Sequence, residues 1–185
     1  MTTAAPLARS HDQADALLEA VRDALSAGQP LAIRGGDSKA FLGRNVEGRA
    51  LDIRPHAGIV QYDPTELVIT ARAGTTLAVL TAALDAGGQM LAFEPPLFDG
   101  EATLGGTIAS GLSGPRRPWV GSARDFVLGT RVITGQGKHL RFGGEVMKNV
   151  AGYDLSRLMA ASFGCLGVIT EVSLKVLPKP RMCRT

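Results

Sequence analysis

Three observations predict an α+β domain. The 185 residues are 45% hydrophobic, enough for one core or for two small units that share one. Ala14, Leu17, Leu18, Val21 and Leu25 recur at helical spacing, while Val168, Thr170, Val172, Leu174 and Val176 alternate as a strand does. There are also 23 glycines, where average usage gives roughly 13, and they crowd between Gly100 and Gly114. In a chain without repeats, such glycine marks backbone that turns sharply or comes close to something.

Read in order, a first helix is expected from about His11 to Ala27, stopped by Gly28 and Pro30. Leu31–Ile33 is a short buried strand ending in Arg34-Gly35-Gly36-Asp37-Ser38. Leu51–Ile53, Gly58–Tyr62 and Leu67–Ala73 read as strands, the last two separated by the Asp63-Pro64 turn signal. Gly74-Thr75 opens a second helix with Leu77, Leu80 and Leu84 on one face, closed by Gly87-Gly88. Past Pro95-Pro96 the texture turns to glycine, serine, threonine and proline, with a short helix near Thr103–Ala109. Phe126–Thr134 and Lys138–Phe142 flank Gly135-Gln136-Gly137 as a hairpin. Asp154–Ala161 reads as a short helix, and Gly167–Val176 as the last strand. The texture change suggests one subdomain over about residues 7–97 and another over about 98–180, with a tail at 181–185 leading toward something further.

Composition excludes several classes. Twenty basic against seventeen acidic residues leave a net charge of +3, too little for a nucleic-acid binder. Cys165 and Cys183 cannot build a disulfide scaffold, and His11, His56 and His139 share no metal-ligand spacing. No apolar run reaches the ~18 residues of a membrane span. Met1–Ser10 lacks a signal-peptide pattern, so a soluble cytoplasmic domain is expected. The histidines read as surface or helix residues, His139 as an exposed position of a hairpin strand.

The known nucleotide motifs are absent. Gly135-Gln136-Gly137 sits between strands without the third glycine of a dinucleotide fingerprint, and Gly106–Gly111 has phosphate-loop spacing but is followed by Leu112. Two glycine loops remain, each by itself first a turn. Arg34–Ser38 has consecutive residues without side chains whose amides can nest an anion, with the Ser38 hydroxyl beside them. In Gly100–Gly111, a helix start would aim amides at a phosphate. Together they suggest a pyrophosphate held between subdomains.

Arg34-Gly35-Gly36-x-Ser38, Ala102-Thr103-Leu104-Gly105-Gly106-Thr107-Ile108-Ala109 and Gly121–Gly129 resemble blocks of the vanillyl-alcohol-oxidase, or PCMH-type, FAD-binding domain. Lys148-Asn149-Val150-Ala151-Gly152-Tyr153-Asp154-Leu155, then Ser162–Thr170, are similar to two blocks of the bacterial glycolate and D-lactate dehydrogenase branch. Within that branch, the likeness is to the FAD-binding subunits of glycolate oxidase, across residues 7–180. The resemblance implies non-covalent FAD between two α+β subdomains, its pyrophosphate on Arg34, Gly35, Gly36, Asp37 and Ser38 and on Gly105, Gly106, Thr107, Ala109 and Ser110. It implies adenine near Gly167, Val168 and Ile169, and flavin near Pro96, Gly111, Gly114, Asn149, Gly152 and Tyr153.

Two residues depart from the pattern. Asp37 stands where many members have a histidine, some of them flavin-linked through it, and Cys165 replaces a threonine. The resemblance also implies a cap domain, carrying the catalytic base, that is absent from this chain; no catalytic residue is therefore assigned. The implied function is hydride transfer from glycolate, or a similar small 2-hydroxy acid such as D-lactate, to FAD. The alternative is a non-catalytic electron-relay or assembly module. Implied partners are a larger FAD-binding homologous subunit and an iron–sulfur subunit. Pro115–Trp119, with two arginines and a tryptophan on one rigid turn, is the candidate contact.

Overall fold

The computed structural model describes residues 11–98, 101–144 and 153–180. Helix α1 (Ala14–Ser26) buries Leu17, Val21 and Ala24, a narrower stripe than the sequence suggests. Leu25 is turned outward beside the hairpin turn, where Arg22 Nε donates to the Gly137 carbonyl at 3.1 Å. Strands β1 (Leu31–Arg34) and β2 (Arg49–Asp52) form a separate parallel pair.

The remaining elements are β3 (Ile59–Asp63), β4 (Val68–Arg72), α2 (Leu77–Ala86), β5 (Gln89–Met90), α3 (Leu104–Ser110), α4 (Arg117–Val120), α5 (Ala123–Phe126), β6 (Val127–Ile133), β7 (His139–Gly143), α6 (Leu155–Leu158), β8 (Val168–Lys175) and β9 (Leu177–Pro178). Strands β3, β4, β8, β6 and β7 lie side by side in that order as an antiparallel sheet, and β5 pairs with β9. Residues 59–72 therefore share a sheet with residues 127–175. The change of sheet falls between β2 and β3, not near residue 97 where the texture changes, because pairing between distant strands leaves no local mark.

Leu77, Leu80 and Leu84 of α2 are essentially inaccessible, and the Thr76 hydroxyl caps the helix by accepting from the Val79 N–H. Each such leucine contributes roughly 1.5–3 kcal/mol over its exposed state. Strand β8 has buried residues on both faces: Val172 and Leu174 are wholly enclosed on one, and Ile169 and Ser173 are buried on the other beside the partly exposed Glu171 and Lys175. Its alternation records only one of its two covered faces. Thr70 of β4 and Ser173 of β8 satisfy each other's hydroxyls there at 2.8 Å. Residues 117–120, expected as an exposed turn, close into helix α4 with Pro118 in its first turn.

Two histidines differ from expectation. His56 is 3% exposed; its Nδ1 accepts from the Gln13 N–H at 2.9 Å, which leaves the ring proton on Nε2. Burial holds its pKa below the usual histidine value. His139 is half-buried, and its Nε2–H donates to Thr170 Oγ1, whose own proton goes to the Arg131 carbonyl. Among the described residues no group of three metal-ligating side chains converges, and no helix is long and apolar enough to cross a membrane.

Candidate functional site

The carboxyl end of β1 runs directly into Arg34–Lys39, which faces helix α3 across a cleft of about 350 Å³. Arg34, Gly35, Gly36, Asp37 and Ser38 line one wall; Gly106, Ala109 and Ser110 line the other. The two glycine loops thus meet.

On the loop wall, the main-chain N–H groups of Gly35, Gly36, Asp37, Ser38 and Lys39 find no hydrogen-bond acceptor among the described residues. Asp37 lies in the left-handed region at φ 52°, the kind of residue that curves a run of amides toward a common anion. Its carboxylate sits 3.5 Å from the Arg34 guanidinium, both side chains about half exposed. Such a pair adds little stability, but it offsets the carboxylate charge that would oppose an anion.

The α3 wall is built differently, which corrects the sequence expectation. Its starting amides are already used: Leu104 N–H donates to the Thr75 carbonyl and Gly105 N–H to the Ala73 carbonyl, both at 2.8 Å, and Gly106 N–H to Thr103 Oγ1 at 3.3 Å. This helix start offers no spare donors. Gly105 is needed for packing, since a Cβ there would stand 2.8 Å from the Ala73 Cβ. Thr107 is wholly buried behind the wall, its hydroxyl without a hydrogen-bond partner among the described residues. Gly106 is exposed, and a Cβ there would meet only Thr103 Oγ1, at 3.2 Å.

The walls are joined by glycine as well. A Cβ at Gly35 would lie 2.6 Å from Thr103 Oγ1, and one at Gly36 would fall on the Glu101 carbonyl oxygen. These two glycines let the loop press onto residues 101–103. Beside the cleft, and sharing Ile33, Gly35, Gly106 and Phe163 with it, runs an apolar slot of about 90 Å³ that ends at Gly167 and Ile169. Val168 lines an adjoining hollow with Cys165 and α1.

Other expected residues lie apart. Half-buried Pro96 lines neither cleft nor slot. Gly111 caps α3 at φ 66° against Ala161, and Gly114 donates its N–H to the Phe93 carbonyl. Tyr153 is 95% exposed. Asn149 and Gly152 fall outside the described residues. The cleft lining also includes Lys39, Arg44, Phe163 and Gly164, which sequence reasoning passed over. For the two basic residues a signal existed: both closely follow the glycine loop.

A run of unpaired main-chain donors, a carboxylate offset by arginine, an open face at Gly106 and an apolar slot alongside suit a ligand with a charged diphosphate and a flat ring. FAD has both.

Comparison with known proteins agrees. A family model described as "FAD binding domain" matches residues 8–143, and the chain belongs to that family; FAD is its cofactor. It is 68% identical, over 94% of its length, to "Glycolate oxidase subunit GlcE" of Escherichia coli (strain K12), covering 49% of that protein. It is 35% identical to "Glycolate oxidase subunit GlcD" of Bacillus subtilis (strain 168) over 69% of this chain and 27% of that one. Among solved structures, an alkyldihydroxyacetonephosphate synthase superposes with TM-score 0.73 at 25% identity, over 93% of this chain and 31% of the synthase. The chain thus spans about half, or less, of the curated relatives described.

Proposed function

We propose that this chain is the FAD-binding part of a glycolate oxidase subunit. It serves oxidation of glycolate, or of a similar small 2-hydroxy acid such as D-lactate, to the 2-oxo acid. The observation that carries the FAD-site reading is the run of amides from Gly35 to Lys39 that find no acceptor among the described residues, opposite the open face of Gly106. The 68% identity to a glycolate oxidase subunit directs the choice of substrate. Bound FAD supplies the acceptor for the hydride that leaves C2.

The chain's own residues bind and orient. The Gly35–Ser38 amides hold the diphosphate and the apolar slot toward Ile169 takes the adenine end, while Pro96, Gly111 and Gly114 are assigned to the flavin side by the family resemblance alone. The substrate's hydroxyl proton requires a base. In the cleft the carboxylate of Asp37 is committed to Arg34, and His56 and His139 are committed elsewhere. That observation favours a second reading, in which this chain relays electrons or assembles the complex while a larger homologous FAD subunit oxidises substrate. An iron–sulfur subunit completes the proposed complex, which is cytoplasmic, with any membrane association made through partners.

Trp119 is 81% exposed, whereas Arg116 is tied to Glu94 through its N–H and guanidinium. The tryptophan is thus the better-placed contact for a partner. The test is to titrate apoprotein with FAD, then assay glycolate-dependent dye reduction by the chain alone and with the larger subunit. One FAD per chain, released by acid precipitation, is expected, because Asp37 cannot form the covalent link a histidine can. Turnover only with the partner supports the relay reading, and turnover by the chain alone supports the catalytic one. No FAD uptake would refute both.

A further inference from the structure

We infer that Lys39 is a cofactor-binding cation that electrostatically retains the FAD diphosphate, and that Phe98, whose ring face lies under its ammonium, holds it in place. The inference rests on the FAD reading of the cleft and adds a residue and a retention device to it. Lys39 ends the run of amides that find no acceptor among the described residues, and it lines the cleft. Its ammonium bonds Ser38 Oγ at 3.3 Å and stands 5.7 Å from the centre of the Phe98 ring, over its face. Phe98 is in turn held edge-on by Phe41, ring centres 5.3 Å apart.

Charge bookkeeping singles out this residue. Of the cations lining the cleft, Arg34 is spent on Asp37, and Arg44 is exposed. Lys39 is partly buried, and among the described residues no carboxylate pairs with it. Burial pulls its pKa below the usual lysine value, so it stands as a desolvated charge lacking a counter-ion. A cation–π contact compensates only part of that cost. A diphosphate on the neighbouring amides would supply the missing anion.

The phenylalanine matters because of where it sits. Phe98 ends the segment after β5 in which Glu94 and Phe98 both take left-handed backbone, at φ 48° and 40°. Bulky residues adopt that conformation only when their surroundings hold them there. The Lys39 and Phe41 contacts therefore connect the Pro96 segment to the anion loop. Lys39 would carry this link into the bound state, with its ammonium between ring and phosphate.

The test is FAD titration of apoprotein by fluorescence quenching, with dissociation rates by dilution, for wild type, Lys39→Met, Lys39→Arg, Phe98→Ala and the Lys39→Met/Phe98→Ala double variant. Lys39→Met should weaken FAD about ten- to a hundredfold, chiefly through faster dissociation, as expected for losing a charged hydrogen bond. Its affinity should also depend less on added salt. Lys39→Arg should stay within about threefold of wild type. Phe98→Ala should weaken binding severalfold alone and add nothing in the Lys39→Met background. Apoprotein melting temperatures should match, and Lys39→Gln carries the same expectation if Lys39→Met fails to fold. Wild-type affinity in a folded Lys39→Met protein, or a Phe98→Ala effect that persists without the lysine, overturns the inference while leaving the FAD reading intact. A wild-type protein that takes up no FAD overturns both.

Discussion

The two walls of the cleft use glycine for opposite ends. On the loop wall, Gly35 and Gly36 let backbone press onto Thr103 and Glu101 while their N–H groups find no acceptor among the described residues. On the helix wall, Gly105 lets α3 settle on Ala73, and its amides are consumed by carbonyls at positions 73 and 75 and by Thr103. One wall keeps its donors for a ligand; the other spends them on the fold and contributes an open surface at Gly106. A glycine-rich loop is therefore an anion site only where its amides remain unpaired.

The hardest test of this contrast is Gly36→Ala. A Cβ on the Glu101 carbonyl forces the loop off its support, so a loss of about 2–4 kcal/mol in urea unfolding is expected. FAD binding should go with it. Stability within error of wild type would show that the loop does not depend on that contact.

Gly106→Val separates the walls most cleanly. Gly106 lines the cleft and a Cβ there would meet only Thr103 Oγ1, at 3.2 Å, and valine suits a helix slightly better than glycine. The melting temperature should hold or rise while FAD affinity falls about a hundredfold or more. The reverse outcome, a lower melting temperature with unchanged affinity, would make Gly106 a backbone requirement like Gly105.

The helix wall should also be the more acid-sensitive. Gly74 N–H donates to the His56 carbonyl, next to the Ala73 carbonyl that anchors Gly105. Because His56 has a lowered pKa when folded, the unfolded chain takes up its proton first as pH falls. The stabilisation from neutral His56 is complete above about pH 6.5 and is lost on acidification toward the lower folded value. The same sign holds for His139. For Asp12, paired with Arg72, the folded pKa is also lowered, but its window lies in the carboxylate range. His56→Gln should flatten the decline of melting temperature between about pH 7.5 and 5; an unchanged slope would remove His56 from the account.

Asp37→Asn is the mildest variant. Asparagine tolerates the left-handed backbone, and an exposed pair contributes at most about 1 kcal/mol, so melting should hardly move. Freed Arg34 and one negative charge fewer should tighten FAD about two- to fivefold. Weaker binding would mean that the carboxylate itself helps to order the loop.

Much of this was legible in the residues. Periodicity located α1, α2 and β8, the Gly135–Gly137 turn located the hairpin, and the glycine clusters at 34–38 and 105–110 marked the two loops that meet across the cleft. These are local signals: a helical face, an alternation or a turn is written within a dozen residues. The family resemblance named the cofactor.

What the sequence could not decide was pairing. That β4 joins β8 across a hundred residues, moving the change of sheet to between β2 and β3, depends on contacts far apart in the chain. The burial of His56, that of residues on both faces of β8 and the exposure of Tyr153 and Trp119 follow from that packing. So does the division of labour between the walls: whether an amide is free or spent depends on which carbonyl the tertiary structure brings to it, and glycine reads the same in either case.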